Sequence, residues 1–212
     1  MAKRRYRFTL RAVAAFTICR TGMLLAMLGI MGSAPGRGEA LWLFYWLCTS
    51  FVLGMMEGAV IARGAFPVLR SAAGFGLAAL IEVFGAGFLV YDEPDVRALL
   101  GVVDEQCRFV LVIPVFCLAG DIAGRWMKAG LARTGFVTFG IGGAVYAVVS
   151  WLNLGDVFEG GPVIPIDPFS PFVVFSVMGG VFFGWMLDRD AAAREETDKT
   201  ADPPRIGAED VQ

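Results

Sequence analysis

Arg20, Glu57, Glu82 and Asp121 are ionisable residues set inside long apolar stretches of this chain. A charged side chain at the centre of a bilayer costs about 2.5–3.5 kcal/mol on insertion scales, so each must face protein, water or a cation. Arg20 and Glu82 carry opposite charge at comparable depth. Such a pair implies either a buried ion pair that fixes how two helices pack, or the switch of an ion or proton pathway. Glu57 tells less, because only about one helical turn separates it from the end of its stretch. Glu57 and Asp121, both near the same face, are the two carboxylates that an intramembrane enzyme would pair.

The elements that must position these residues follow from the lengths of the apolar runs. With 57% apolar residues, 18% charged residues and a mean hydropathy of +0.65, the 212-residue chain is far from soluble globular composition. Apolar runs fall at residues 12–31, 41–62, 71–91, 107–124, 136–154 and 171–187, each near the 20 residues a membrane-spanning helix needs. A secretory leader is not expected at the start, where the run 12–31 is too long, is broken by Arg20 and lacks a small-residue cleavage site.

Basic residues then set orientation. One side receives Lys3, Arg4, Arg5, Arg7 and Arg11, then Arg63 and Arg70, then Arg125, Lys128 and Arg133; the other receives only Arg37, Arg97 and Arg108. The positive-inside rule predicts six transmembrane helices with both termini in the cytoplasm. The expected fold is all-α, a polytopic membrane helical bundle over 1–187 followed by a disordered cytoplasmic tail over 188–212, in a bacterial inner membrane. Trp42, Tyr45 and Trp46 mark one interface. Residues 92–106 carry Val96, Leu99, Leu100 and Val103 at helical spacing, which predicts a short surface helix. Residues 156–171 hold Pro162, Pro165, Pro168 and Pro171, one every three positions, as on one edge of a polyproline II strap.

Three small-xxx-small pairs predict close helix packing: Gly54 with Gly58, Gly120 with Gly124, and Gly180 with Gly184. An acid accompanies each pair, namely Glu57, Asp121 and Asp188, so residues 57–76 and 121–140 read as a weak internal repeat. Asp121-Ile-Ala-Gly-Arg125 resembles the short Asp-x-x-Gly-Arg loop at a cytoplasmic turn of major facilitator transporters. That resemblance covers five residues and follows the fourth span rather than the second, so the family is not carried over.

Histidine is absent, which removes the usual membrane haem ligand, the commonest zinc ligand and the usual base for a serine or cysteine nucleophile. Cys19, Cys48, Cys107 and Cys117 lack metal-site spacing and read as small packing residues. Neither a cofactor, nor a metal, nor a nucleic-acid partner is expected. Three functional classes remain: a small transporter or channel for an ion or small solute; a non-catalytic subunit or assembly factor of a larger membrane complex, as homo-oligomer or with partner chains; and an intramembrane enzyme. The lipid bilayer is the partner common to all three.

Overall fold

The computed structural model describes residues 7–33, 39–90, 105–158 and 170–201. Among them are six α-helices and no strand: α1 (Arg7–Ser33), α2 (Glu39–Ala62), α3 (Val68–Val90), α4 (Glu105–Met127), α5 (Ala132–Phe158) and α6 (Ser170–Ala201). A 3-10 turn, Ala129–Leu131, joins α4 to α5. The expected surface helix, the proline strap and the last residues of the tail lie, wholly or mostly, outside the described residues.

Among the described residues, four segments are long and apolar enough to cross a membrane: Phe44–Ala62, Val68–Gly85, Val110–Met127 and Ala129–Val148. The protein's outer surface agrees with that reading. Ile18, Leu69, Phe84 and Val110 are more than half exposed, whereas Arg20, Glu57 and Glu82 are buried. A soluble protein puts apolar groups inside and charges outside; this chain inverts the pattern, as a lipid-facing bundle does.

Each helix packs on its sequence neighbours, and α6 returns to α1, closing a ring of six. The glycine pairs make three of these contacts tight. Gly54 and Gly58 of α2 lie against Phe75, Ala79 and Ser71 of α3; Gly120 and Gly124 of α4 against Gly135, Phe139 and Ala132 of α5 and Leu131 of the turn before it; Gly180 and Gly184 of α6 against Ala12, Val13, Phe8 and Thr9 of α1. In lipid no hydrophobic effect drives helices together, so dispersion between closely approaching backbones carries much of the association. All three expected pairs therefore pack helices within this one chain.

At the centre of the ring Phe16, Phe75, Phe139 and Phe183, from α1, α3, α5 and α6, touch pairwise at ring-centroid distances of 5.7–6.3 Å. All four are at most 1% exposed, and they fill the middle of the bundle. Most of the contacts are edge-on, the geometry that aromatic quadrupoles favour.

The last helix departs from expectation. It does not stop at Leu187 but continues through Asp188 to Ala201. The run Ala191-Ala192-Ala193-Arg194-Glu195-Glu196 consists of strong helix formers, which extend a helix already nucleated within the bundle. Asp188 sits where this helix passes the start of α1, and its carboxylate accepts hydrogen bonds from the backbone N–H groups of Phe8 and Thr9, 2.9 Å each, and from the Thr9 hydroxyl at 2.7 Å. The first N–H groups of a helix have no partner of their own, so an aspartate from the last helix caps the first. Asp188→Ala should lower stability by about 0.5–2 kcal/mol, read as an earlier unfolding midpoint in mixed micelles. Asp188→Asn, which keeps one acceptor oxygen, should lose less; equal losses would assign the effect to packing.

Candidate functional site

Arg20 lies at the middle of α1, and its placement follows from antiparallel register. Gly22 of α1 adjoins Leu53 of α2, while Gly54 of α2 adjoins Ala79 of α3. On that register Arg20 stands between the level of Glu57 on α2 and the level of Glu82 on α3. The long guanidinium reaches both: Nε donates to Glu57 Oε2 at 3.2 Å, and Nη1 donates to Glu82 Oε2. Below it, one turn back on α1, the Phe16 ring lies 5.6 Å from the Arg20 guanidinium carbon. Cation–π attraction in a desolvated setting adds to the hold on this side chain.

The three charged residues are sealed from solvent, at 1% exposure for Arg20, 0% for Glu57 and 2% for Glu82. With both acids ionised, two carboxylates share one guanidinium, leaving one negative charge in excess. Glu57 Oε1 and Glu82 Oε1 have no hydrogen-bond partner among the described residues, and neither do Thr17 Oγ1 and Ser50 Oγ. The same register places Thr17 at the level of Glu57 and Ser50 at the level of Glu82. Buried oxygens without partners are uncommon and costly, which sets this cluster apart from the rest of the described interior.

The sequence pairing of Arg20 with Glu82 is therefore present, but it is half of the arrangement. Glu57, judged marginal from its position along the span, is the second partner. Position along one helix gives depth but not reach, and an arginine side chain spans more than a helical turn. Asp121 does not join the cluster. It pairs with Arg125 on its own helix at 2.7 Å, at a partly exposed position, so the Asp-x-x-Gly-Arg stretch is an i, i+4 ion pair here. Helix α3 stands between α2 and α4. Glu57 and Asp121 are thus held by different partners, and the paired carboxylates of an enzyme are not assembled.

The contacts also shift the internal repeat. Gly58 packs on Ser71 and Phe75 as Gly120 packs on Gly135 and Phe139, so Gly58 and Gly120 are the corresponding positions. Glu57 precedes its glycine and Asp121 follows its own, so the two acids do not correspond. Instead the central phenylalanines do: Phe75, Phe139 and Phe16 each lie one turn beyond the residue that meets a glycine of the preceding helix, Ser71, Gly135 and Ala12 respectively. The four-ring cluster, Thr17 and Ser50 were not foreseen from sequence, since nothing in an apolar run marks which phenylalanine or hydroxyl faces inward.

Compared with protein-family models, curated proteins and solved structures, the chain matches none. Fold and site together define its class: an all-helical membrane protein with a charged cluster buried among its first three helices.

Proposed function

We propose that the protein is a small multi-pass inner-membrane transporter or channel that moves a small cation by way of Glu57 and Glu82, with Arg20 as their internal counter-charge. One observation carries the reading: two fully buried carboxylates share one guanidinium, and each keeps an oxygen without a partner among the described residues. A purely structural ion pair needs one acid and leaves no excess charge. Ionisable groups held inside a membrane bundle mark ion and proton pathways.

Six spans fit this reading. Helix α1 lies antiparallel between α2 and α6, both of which it packs along, and at about 1.5 Å per residue its 27 residues are long enough to cross. The basic links then put both termini in the cytoplasm, with the six-helix unit over 1–187 and 188–212 on the cytoplasmic side. Glycine pairs left open on the outside would favour a subunit of a larger complex; in this chain all three face helices of the same chain.

The purified chain in sealed vesicles should pass cations under an imposed membrane potential. Glu82→Gln should bring that flux down to the level of protein-free vesicles while the variant stays folded and abundant. Undiminished flux in Glu82→Gln would remove the buried acid from the pathway and sink the reading.

A further inference from the structure

We propose that the cation is a proton, and that Glu57 and Glu82 hold a single exchangeable proton between them, on whichever acid Arg20 is not neutralising at the time. This inference rests on the transport reading for its biological meaning, though the proton itself can be observed without any flux. Charge is the first argument. The guanidinium supplies one positive charge against two carboxyls, so the cluster holds one negative charge in excess when both acids are ionised, with every member sealed from water. One added positive charge makes it neutral.

Coordination chemistry selects among cations. A bare metal cation asks for about six oxygen ligands or more where the cation is hard and oxygen-bound. Here the unpartnered buried oxygens are Glu57 Oε1 and Thr17 Oγ1 toward one side of Arg20, and Glu82 Oε1 and Ser50 Oγ toward the other. Neither side supplies a coordination shell, and the guanidinium between them repels a metal ion. No group of three or more acidic, cysteine or histidine side chains that could hold a metal occurs among the described residues. A proton needs one oxygen. Among the described residues, four buried phenylalanine rings pack across the centre of the bundle, an apolar setting that suits a proton held on a side chain better than a hydrated ion.

The groups facing the two acids are few. Helix α1 presents Arg20, with the buried Cys19 next to it in sequence; α2 and α3 present the two acids to each other through Arg20. Toward α4, α3 meets the apolar Val115 beside Gly85 and Trp126 beside Gly74, among others; the acid Asp121 of α4 is already paired with Arg125. Transfer is then a proton exchange and nothing else. With the proton on Glu57, the carboxylate of Glu82 carries the ion pair with Arg20. When the proton moves to Glu82, the guanidinium's full pairing passes to Glu57, and the sum of charges stays at zero.

Infrared difference spectroscopy on the full chain in lipid tests this directly, because a protonated carboxyl has a C=O stretch that a carboxylate lacks. At neutral pH the wild type should show one such buried carboxyl, shifted on exchange into deuterated water. Glu57→Gln and Glu82→Gln should each abolish the band, since Arg20 then pairs with the one acid left. Arg20→Gln should double it. A wild type without the band, or single glutamine variants that retain it at full strength, would overturn the proposal. Near-isosteric glutamine variants that keep the wild-type helical signal make the test independent of the arginine variant's folding. Band absent with cation flux intact would mean that a different cation is carried. Band present in a chain without flux would leave the proton site standing and overturn the transport reading alone.

Discussion

Arg20→Met should destabilise the protein by about 3–5 kcal/mol, the range measured when one partner of a buried ionic cluster is removed. The cost comes from what stays behind. Two sealed acids, each already short of one hydrogen bond among the described residues, lose the only cation that the described contacts give them. Lost packing against Phe16 adds to this, but it is the smaller share, since a methionine fills much of the same space. A triple variant separates the two causes: Arg20→Met combined with Glu57→Leu and Glu82→Leu removes every charge and should recover most of the loss. Arg20→Lys should fall between, because a single ammonium on a shorter reach cannot bridge acids on two helices as a guanidinium fork does. Denaturant titration in mixed micelles, following helix content, reads all four proteins. A triple variant no more stable than Arg20→Met would assign the defect to packing instead of charge.

Gly135→Leu should prevent α4 and α5 from closing, with a loss of folded protein beyond the usual ~1–3 kcal/mol for overpacking. A side chain at Gly135 runs into the carbonyl of Gly120, and one at Gly120 lies 2.5 Å from the Phe139 Cβ, so backbone meets backbone with no flexible side chain to yield. Even Gly135→Ala should destabilise, although alanine in a helix interior is favoured over glycine by about 1 kcal/mol. Gly130, in the adjoining 3-10 turn, supplies the control. Nothing lies within 4 Å of a Cβ placed there, so Gly130→Ala should leave stability unchanged. If both alanine variants behaved alike, the close approach of α4 and α5 would not be the source of stability.

How far the sequence revealed these features depended on what kind of signal each leaves. Apolar runs and their basic links gave the helices, since length and charge are read along the chain and need no partner. Glycine spacing correctly marked three tight contacts, because a missing side chain is a local property with one common use in a membrane. The partners of those glycines were not legible. In a soluble helix an apolar stripe shows which face is inward, but here lipid and core are equally apolar and all faces look alike. For that reason Phe16, Phe75, Phe139 and Phe183 could not be told from Phe44 or Phe136, which are exposed. Charge was the exception: Arg20 and Glu82 stood out because lipid cannot accommodate them. Glu57 was underrated because its depth was weighed and the reach of arginine was not. Asp188 needed the ring closure of α6 on α1, a long-range fact that no local pattern carries.

The Arg20 cluster also imposes an order of events at birth. On the proposed six-span arrangement the arginine enters the bilayer on the first helix, while its partners lie 37 and 62 residues further along the chain. At roughly 5–20 residues per second of synthesis, the second acid arrives about 3–12 s after the arginine. Until then Arg20 has neither of the acids that it meets in the folded chain. Asp188 arrives later still, 180 residues after Phe8, and fastens the start of α1 only when the sixth helix has docked. A nascent chain stalled before that point would carry an uncapped helix end, a difference that membrane quality-control proteases can read.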